Sequence, residues 1–136
     1  MQPSDNQLFK LFVIEDNRTE SMLLQLALSE IKHLHIQTFS TAGQLLEHLS
    51  EQPDIVLVDL ILPDMSGVEL IKKIRAFNPH IRVVVVSAQR DMDVLAEVQA
   101  LGVFNYLVKS EMCLTYLHQV ISELIILLQH YRTQKV

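Results

Sequence analysis

The apolar positions of this chain fall into two kinds of run. Residues 11–14, 55–58 and 81–86 are short and rich in branched side chains, the first two uninterrupted and the third broken only by Arg82 near its start, the pattern expected of strands covered by helices on both faces. Residues 34–39 and 103–108 are also apolar, but His35, Gln37 and Asn105 interrupt them. That predicts strands with one side less covered, at the edges of a sheet. Helical patterns with legible ends lie between the strands. Asn17 with Glu20, Thr41 with Gln44, and Ser66 with Glu69 match or approximate a capping box. Pro53 and Pro79 follow the second and third helices. Asp91 is the expected start of the fourth, and Gly102 stands where a left-handed cap would end it.

The order of elements is βαβαβαβαβα. Strict alternation with short connections implies right-handed crossovers and a parallel sheet, and placing the interrupted strands outside gives the strand order 2-1-3-4-5. The expected architecture is therefore α/β: a flavodoxin-like, doubly wound, five-stranded parallel sheet flanked by five helices. The folded unit should run over residues 9–132, with a polar tail at 1–8 and a tail or the start of a linker at 133–136.

Composition narrows the class. At 136 residues, 49% hydrophobic and 20% charged, the chain suits one domain with a full core. A net charge of −5 supplies no basic field for phosphate backbones, which argues against direct nucleic-acid binding and for protein partners. One cysteine, Cys113, excludes an intramolecular disulfide and fits a reducing compartment. No apolar run approaches the roughly 18 residues of a membrane span and no signal-peptide pattern opens the chain, so a cytoplasmic location is expected.

In an open parallel sheet, ligands bind outside the carboxyl ends of the strands. The residues found there are Glu15 and Asp16 after the first strand, Asp59 after the third, Ser87 after the fourth and Lys109 after the fifth. Three carboxylates gathered in one place repel one another unless a cation neutralises them, and oxygen-only ligation favours Mg²⁺. Asp59 can then act as a nucleophile toward phosphorus, with Lys109 and Ser87 left to hold the other phosphoryl oxygens. Taken singly, each residue has an ordinary explanation: a loop carboxylate, a solvated lysine, a capping hydroxyl, an acidic helix start. Their joint arrival at four strand ends favours the chemical reading.

These residues resemble the receiver domain of bacterial two-component response regulators over almost the whole chain. The matching elements are the acidic pair Glu15–Asp16, Asp59 followed by a loop with Pro63 and Gly67, Ser87–Ala88, and Tyr106 three residues before Lys109. The resemblance implies that Asp59 accepts a phosphoryl group from a phosphohistidine on a sensor histidine kinase or phosphotransfer protein. It implies Mg²⁺, or Mn²⁺ in its place, held by the side chains of Asp16 and Asp59 and the backbone carbonyl of Ile61, with Glu15 acting more through water. It further implies that Ser87 and Tyr106 are switch residues, which carry the signal to the face of the fourth helix, fifth strand and fifth helix. Such a domain is a signalling module that promotes its own phosphorylation and dephosphorylation, not an enzyme acting on an external substrate.

Some positions depart from the common pattern. Glu15 stands where Asp is more usual and lengthens that arm. Ser110 takes the place of the Pro that often follows the lysine, so a cis peptide there is not assured. Ile61 and Gln89 lie beside the pocket, where the family varies.

Three rival functions make other demands on the same positions. A haloacid dehalogenase-type phosphatase needs a second acid two positions after the nucleophile, and that position is Ile61. A flavin binder of the same fold would cradle a phosphate after the first strand, where this chain puts two carboxylates. A pseudo-receiver, an interaction module not controlled by phosphorylation, is the remaining alternative, and the intact pocket argues against it.

The fifth helix, expected over residues 111–132, would be about 33 Å long, whereas a strand spans about 17–20 Å. Leu114, Leu117, Ile121, Leu124 and Leu128 can face the sheet, but residues 124–128 are apolar all round one turn. The end of the helix is expected to project, either to form a homodimer through the output face or to start a linker to an effector domain beyond Val136. We favour dimerisation.

Overall fold

The computed structural model describes residues 8–134. The five strands are β1 (Phe9–Ile14), β2 (Leu34–Phe39), β3 (Ile55–Val58), β4 (Arg82–Ser87) and β5 (Asn105–Val108). The helices are α1 (Arg18–Leu28), α2 (Ala42–Glu47), α3 (Gly67–Phe77), α4 (Met92–Ala100) and α5 (Cys113–Gln134), with a short 3₁₀ turn at Leu49–Glu51. All four strand pairings are parallel and the order is β2-β1-β3-β4-β5, as the alternation of elements predicts.

The side-chain alternation of the strands divides the core into two layers. On one face Phe12, Ile14, Val56, Val58, Val83 and Val85 pack with Leu45, Leu70, Ile71, Ile74 and Val98 of α2, α3 and α4. On the other, Leu11, Val13, Ile55, Leu57, Val84 and Val86 pack with Leu24 and Leu28 of α1 and Leu117, Ile121 and Leu124 of α5. Every residue of β3 is buried, while β5 is only half-buried. The uninterrupted runs are thus the doubly covered strands. Burial of each full-sized side chain of this kind contributes about 1.5–3 kcal/mol, which commits the strand register and hence the residues at the strand ends.

Strand and helix ends show where local signals were sufficient. Asn17, Thr41 and Ser66 each accept the backbone N–H three residues on, from Glu20, Gln44 and Glu69. Asp91 caps α4 through Asp93 and Val94, and Gly102 has φ +80°. β1 starts at Phe9, two residues before its apolar run, because Lys10 turns its ammonium to the Glu51 carbonyl while its N–H bonds Asp54. β5 starts at Asn105 rather than 103.

Helix α5 is shifted by two residues from its expected span, and Thr133 and Gln134 belong to it rather than to a tail. Its last turn does not project free of the sheet. Arg132 lies 3.8 Å over the Phe9 ring, donates to the Leu8 carbonyl and pairs with Asp54 at 3.2 Å, binding the helix end to the starts of β1 and β3. The expected tails fall largely outside the described residues. Among the described residues no helix is long and apolar enough to cross a membrane.

Candidate functional site

The chain order leaves β1 and β3 adjacent, with their crossovers departing to opposite faces of the sheet, so a crevice opens at their carboxyl ends. Asp59 follows β3 directly and is buried. Its carboxylate is held on both sides. Oδ1 accepts the Ser87 hydroxyl at 3.1 Å and the Ile61 N–H at 3.0 Å, and Oδ2 accepts the Lys109 ammonium at 2.8 Å. Burial pushes Asp59 up, but the Lys109 ammonium and the Ile61 N–H outweigh it and hold the carboxyl below its usual range. Asp59 is thereby kept ionised, as a nucleophile must be.

Glu15 is buried beside it. Its Oε2 lies 3.2 Å from Lys109 Nζ, and its Oε1 accepts the Asn17 N–H. Burial, together with hydrogen bonds to Asp59 and Glu20, raises the Glu15 carboxyl to about 8. Lys109 is itself half-buried, which opposes its charge. Bonds to Asp59 and Glu20 prevail and raise it.

Asp16 is exposed and lines the same open cleft of about 370 Å³ as Glu15, Glu20, Asp59, Ile61, Ala88 and Lys109. The predicted residues of β1, β3, β4 and β5 are thus brought together. Glu20, read from the sequence only as a capping residue, joins them: carboxylate oxygens of Glu15, Glu20 and Asp59 lie within 4.8 Å of one another. Its backbone N–H does take the Asn17 cap. Its carboxylate does not close the capping box, and instead bonds Lys109 at 2.6 Å.

Tyr106 is half-buried, and its hydroxyl donates to the Gln89 carbonyl at 2.9 Å, so it is turned to the loop after β4 rather than to water. The Gln89 N–H donates to Ser87 Oγ at 3.3 Å. One loop residue therefore bridges the two expected switch side chains. The Ile61 side chain is exposed at the mouth of the cleft, and no described peptide bond, including Lys109–Ser110, is cis.

The sequence matches the response regulator receiver domain over residues 11–121. The chain belongs to that family. This receiver domain is 30% identical over 107 residues to the transcriptional regulatory protein CitT of Halalkalibacterium halodurans, a match covering 76% of the chain and 46% of CitT. It therefore spans less than half the length of that relative. Among solved structures it is similar to the phosphorylated cyanobacterial phytochrome response regulator RcpA, with a TM-score of 0.73, 27% identity, and 86% and 91% of the two chains covered. It also shares its fold with the Mn²⁺-bound form of response regulator Rcp1, with a TM-score of 0.78, 22% identity, and 86% and 94% covered.

Proposed function

We propose that this receiver domain is a phosphoacceptor of a two-component system, acting in the cytoplasm and phosphorylated on Asp59 by a sensor histidine kinase or phosphotransfer protein. The observation that carries this reading is the ionised, buried Asp59 carboxylate, fixed between Ser87, the Ile61 N–H and Lys109 and facing an open cleft. One Asp59 oxygen forms a bond to phosphorus as the phosphorus–nitrogen bond of the donor phosphohistidine breaks, and the bonding pair stays on the imidazole nitrogen. No general base is needed. Lys109 and Ser87 receive the transferred phosphoryl oxygens as charge-assisted and neutral donors.

The donor set fits a hard divalent cation. The carboxyl groups of Glu15, Glu20 and Asp59 converge on a single ammonium, and burial, with the hydrogen bonds to Asp59 and Glu20, pushes Glu15 up to about 8. Mg²⁺, or Mn²⁺ in its place, would be held by Asp16, Asp59 and the Ile61 carbonyl, with Glu15 through water, and would offset the charge of the incoming phosphoryl group. That RcpA has been seen phosphorylated and Rcp1 with Mn²⁺ supports both parts of the reading.

Ser87 and Tyr106 serve as switches in this reading. A phosphoryl group that draws the Ser87 hydroxyl away removes the acceptor of the Gln89 N–H, and Gln89 is the residue whose carbonyl holds Tyr106. The signal leaves through α4, β5 and α5, where Tyr116 and Leu127 of α5 and Phe104, just before β5, are exposed. It does so through a homodimer, or through an effector domain beyond Val136.

Intact mass after incubation with Mg²⁺ and a small phosphoryl donor tests the core of the proposal. The native chain should gain one phosphoryl group and Asp59→Asn none. No gain by a native chain that binds Mg²⁺ would leave the pseudo-receiver as the better reading.

A further inference from the structure

The Lys109 ammonium has three N–H donors and three carboxyl oxygens as partners, so its hydrogen-bonding capacity is filled. Glu20 is the shortest of these contacts at 2.6 Å, and it is the most exposed partner: its side chain is 43% accessible, against 2% for Glu15 and 5% for Asp59. A phosphoryl group on Asp59 brings roughly −1.5 to −2 charges and new acceptors to this ammonium. Asp59 loses its own charge on becoming an acyl phosphate and frees one donor; for Lys109 to serve the phosphoryl oxygens with a second, another partner must yield. Glu15 is buried and has a second bond to the Asn17 N–H. Glu20, in the first turn of α1, is the carboxylate that water can take over at least cost.

We propose that Glu20 is a positioning residue of the phosphoryl-transfer site: it holds the Lys109 ammonium in the resting domain and gives it up to the phosphoryl group. This rests on the phosphoacceptor reading above. Two consequences have opposite signs. As a nearby negative charge and a competitor for Lys109, Glu20 weakens the hold of the site on an anion. As one more carboxylate at the rim, it strengthens the hold on a divalent cation.

The test compares the full native chain with Glu20→Gln and Glu20→Asp by calorimetric titration, first with Mg²⁺ alone and then with beryllofluoride, a phosphoryl mimic, at saturating Mg²⁺. The backbone N–H of residue 20 still meets the Asn17 cap in both variants, and thermal unfolding checks that α1 is retained. Glu20→Gln should bind Mg²⁺ about two- to fivefold more weakly and beryllofluoride about two- to fivefold more tightly, the range of a half-exposed ion pair. Glu20→Asp, which keeps the charge, should lie between Glu20→Gln and the native chain. Weakening of both ligands would show a merely structural role, and no change in either would show an idle carboxylate. Each of these results overturns the inference. Failure of the native chain to bind beryllofluoride would overturn the phosphoacceptor reading, and this inference with it.

Discussion

Gly67→Ala separates the geometry of the proposed phosphoacceptor, Asp59, from the stability of the fold. Gly67 opens α3 directly against the segment that follows β3, and its N–H donates to the Leu60 carbonyl at 2.9 Å. A Cβ at this position would stand 2.8 Å from the Asp59 carbonyl oxygen and 2.9 Å from Leu60 Cδ2, with the Leu60 Cα closer still. Ordinary carbon contacts lie near 3.5–4.0 Å, so the two backbones must part by about 1 Å. They cannot do so without stretching the Gly67–Leu60 bond or moving Asp59 off its three donors.

Overpacking of this kind costs about 1–3 kcal/mol, which in a domain of this size lowers Tm by roughly 3–10 °C. Misplacing a reacting group by about 1 Å costs on the order of 100-fold in rate. The control is Ser66→Ala. It removes the Ser66 Oγ bond to the Glu69 N–H and about 1 kcal/mol of capping, but leaves the contact between Gly67 and Leu60 intact. Thermal unfolding should show both variants destabilised, whereas the rate of phosphoryl gain followed by intact mass should fall for Gly67→Ala alone. If Gly67→Ala is phosphorylated as fast as Ser66→Ala, the close approach does not position Asp59 and the reasoning is wrong.

Two further predictions concern the loop after β3 and the output face. The Asp64 carboxylate accepts the Gly43 and Ala42 N–H groups at 3.0 Å each, and those bonds hold its carboxyl below the usual range. A folded value below the unfolded one means stability that is present above the unfolded value and lost as pH falls through the folded one. Asp64→Asn should therefore lower Tm at pH 7, and its difference from the native chain should shrink as the pH falls below the ordinary aspartate range; a difference independent of pH would refute this. For the switch, beryllofluoride with Mg²⁺ should alter amide hydrogen exchange over residues 91–108 and raise the light-scattering mass of the native chain toward a dimer. Tyr106→Ala should bind the mimic but lose both responses, and an unchanged response would remove Tyr106 from the switch.

The strands, the caps and the place of Asp59 at the rim were legible because each rests on a local pattern or on a rule of topology. Burial on both faces demands unbroken apolar runs, so β3 and β4 stand out. Once the strand order follows from alternation, Glu15, Asp59, Ser87 and Lys109 are carried to one rim by their places at strand ends. Lys10 shows the limit of the pattern: a charged residue inside β1 ended the apparent run because its partners, Asp54 and the Glu51 carbonyl, lie more than 40 residues away. The last turn of α5 shows it again, since a three-way anchor through Arg132 to Leu8, Phe9 and Asp54 leaves no trace in helical periodicity.

Glu20 is the instructive case. Its spacing from Asn17 gives a sufficient local reason for a glutamate, and half of that reason holds, since its N–H does meet the cap. Its carboxylate answers to Lys109, 89 residues on. The two roles are compatible because a capping position in the first turn of α1 is also a rim position: the helix starts at the carboxyl end of β1, directly over the crevice. A carboxylate there is favoured by the helix macrodipole whatever lies beside it. A local explanation that is true can therefore conceal a second, long-range contact where a helix starts at the rim. Ser66 stands on α3 where Asn17 does on α1, and the glutamate three residues on, Glu69, pairs with Lys72 of its own helix at 3.6 Å instead; the capping pattern is the same, and only the neighbour across the rim sets the two glutamates apart.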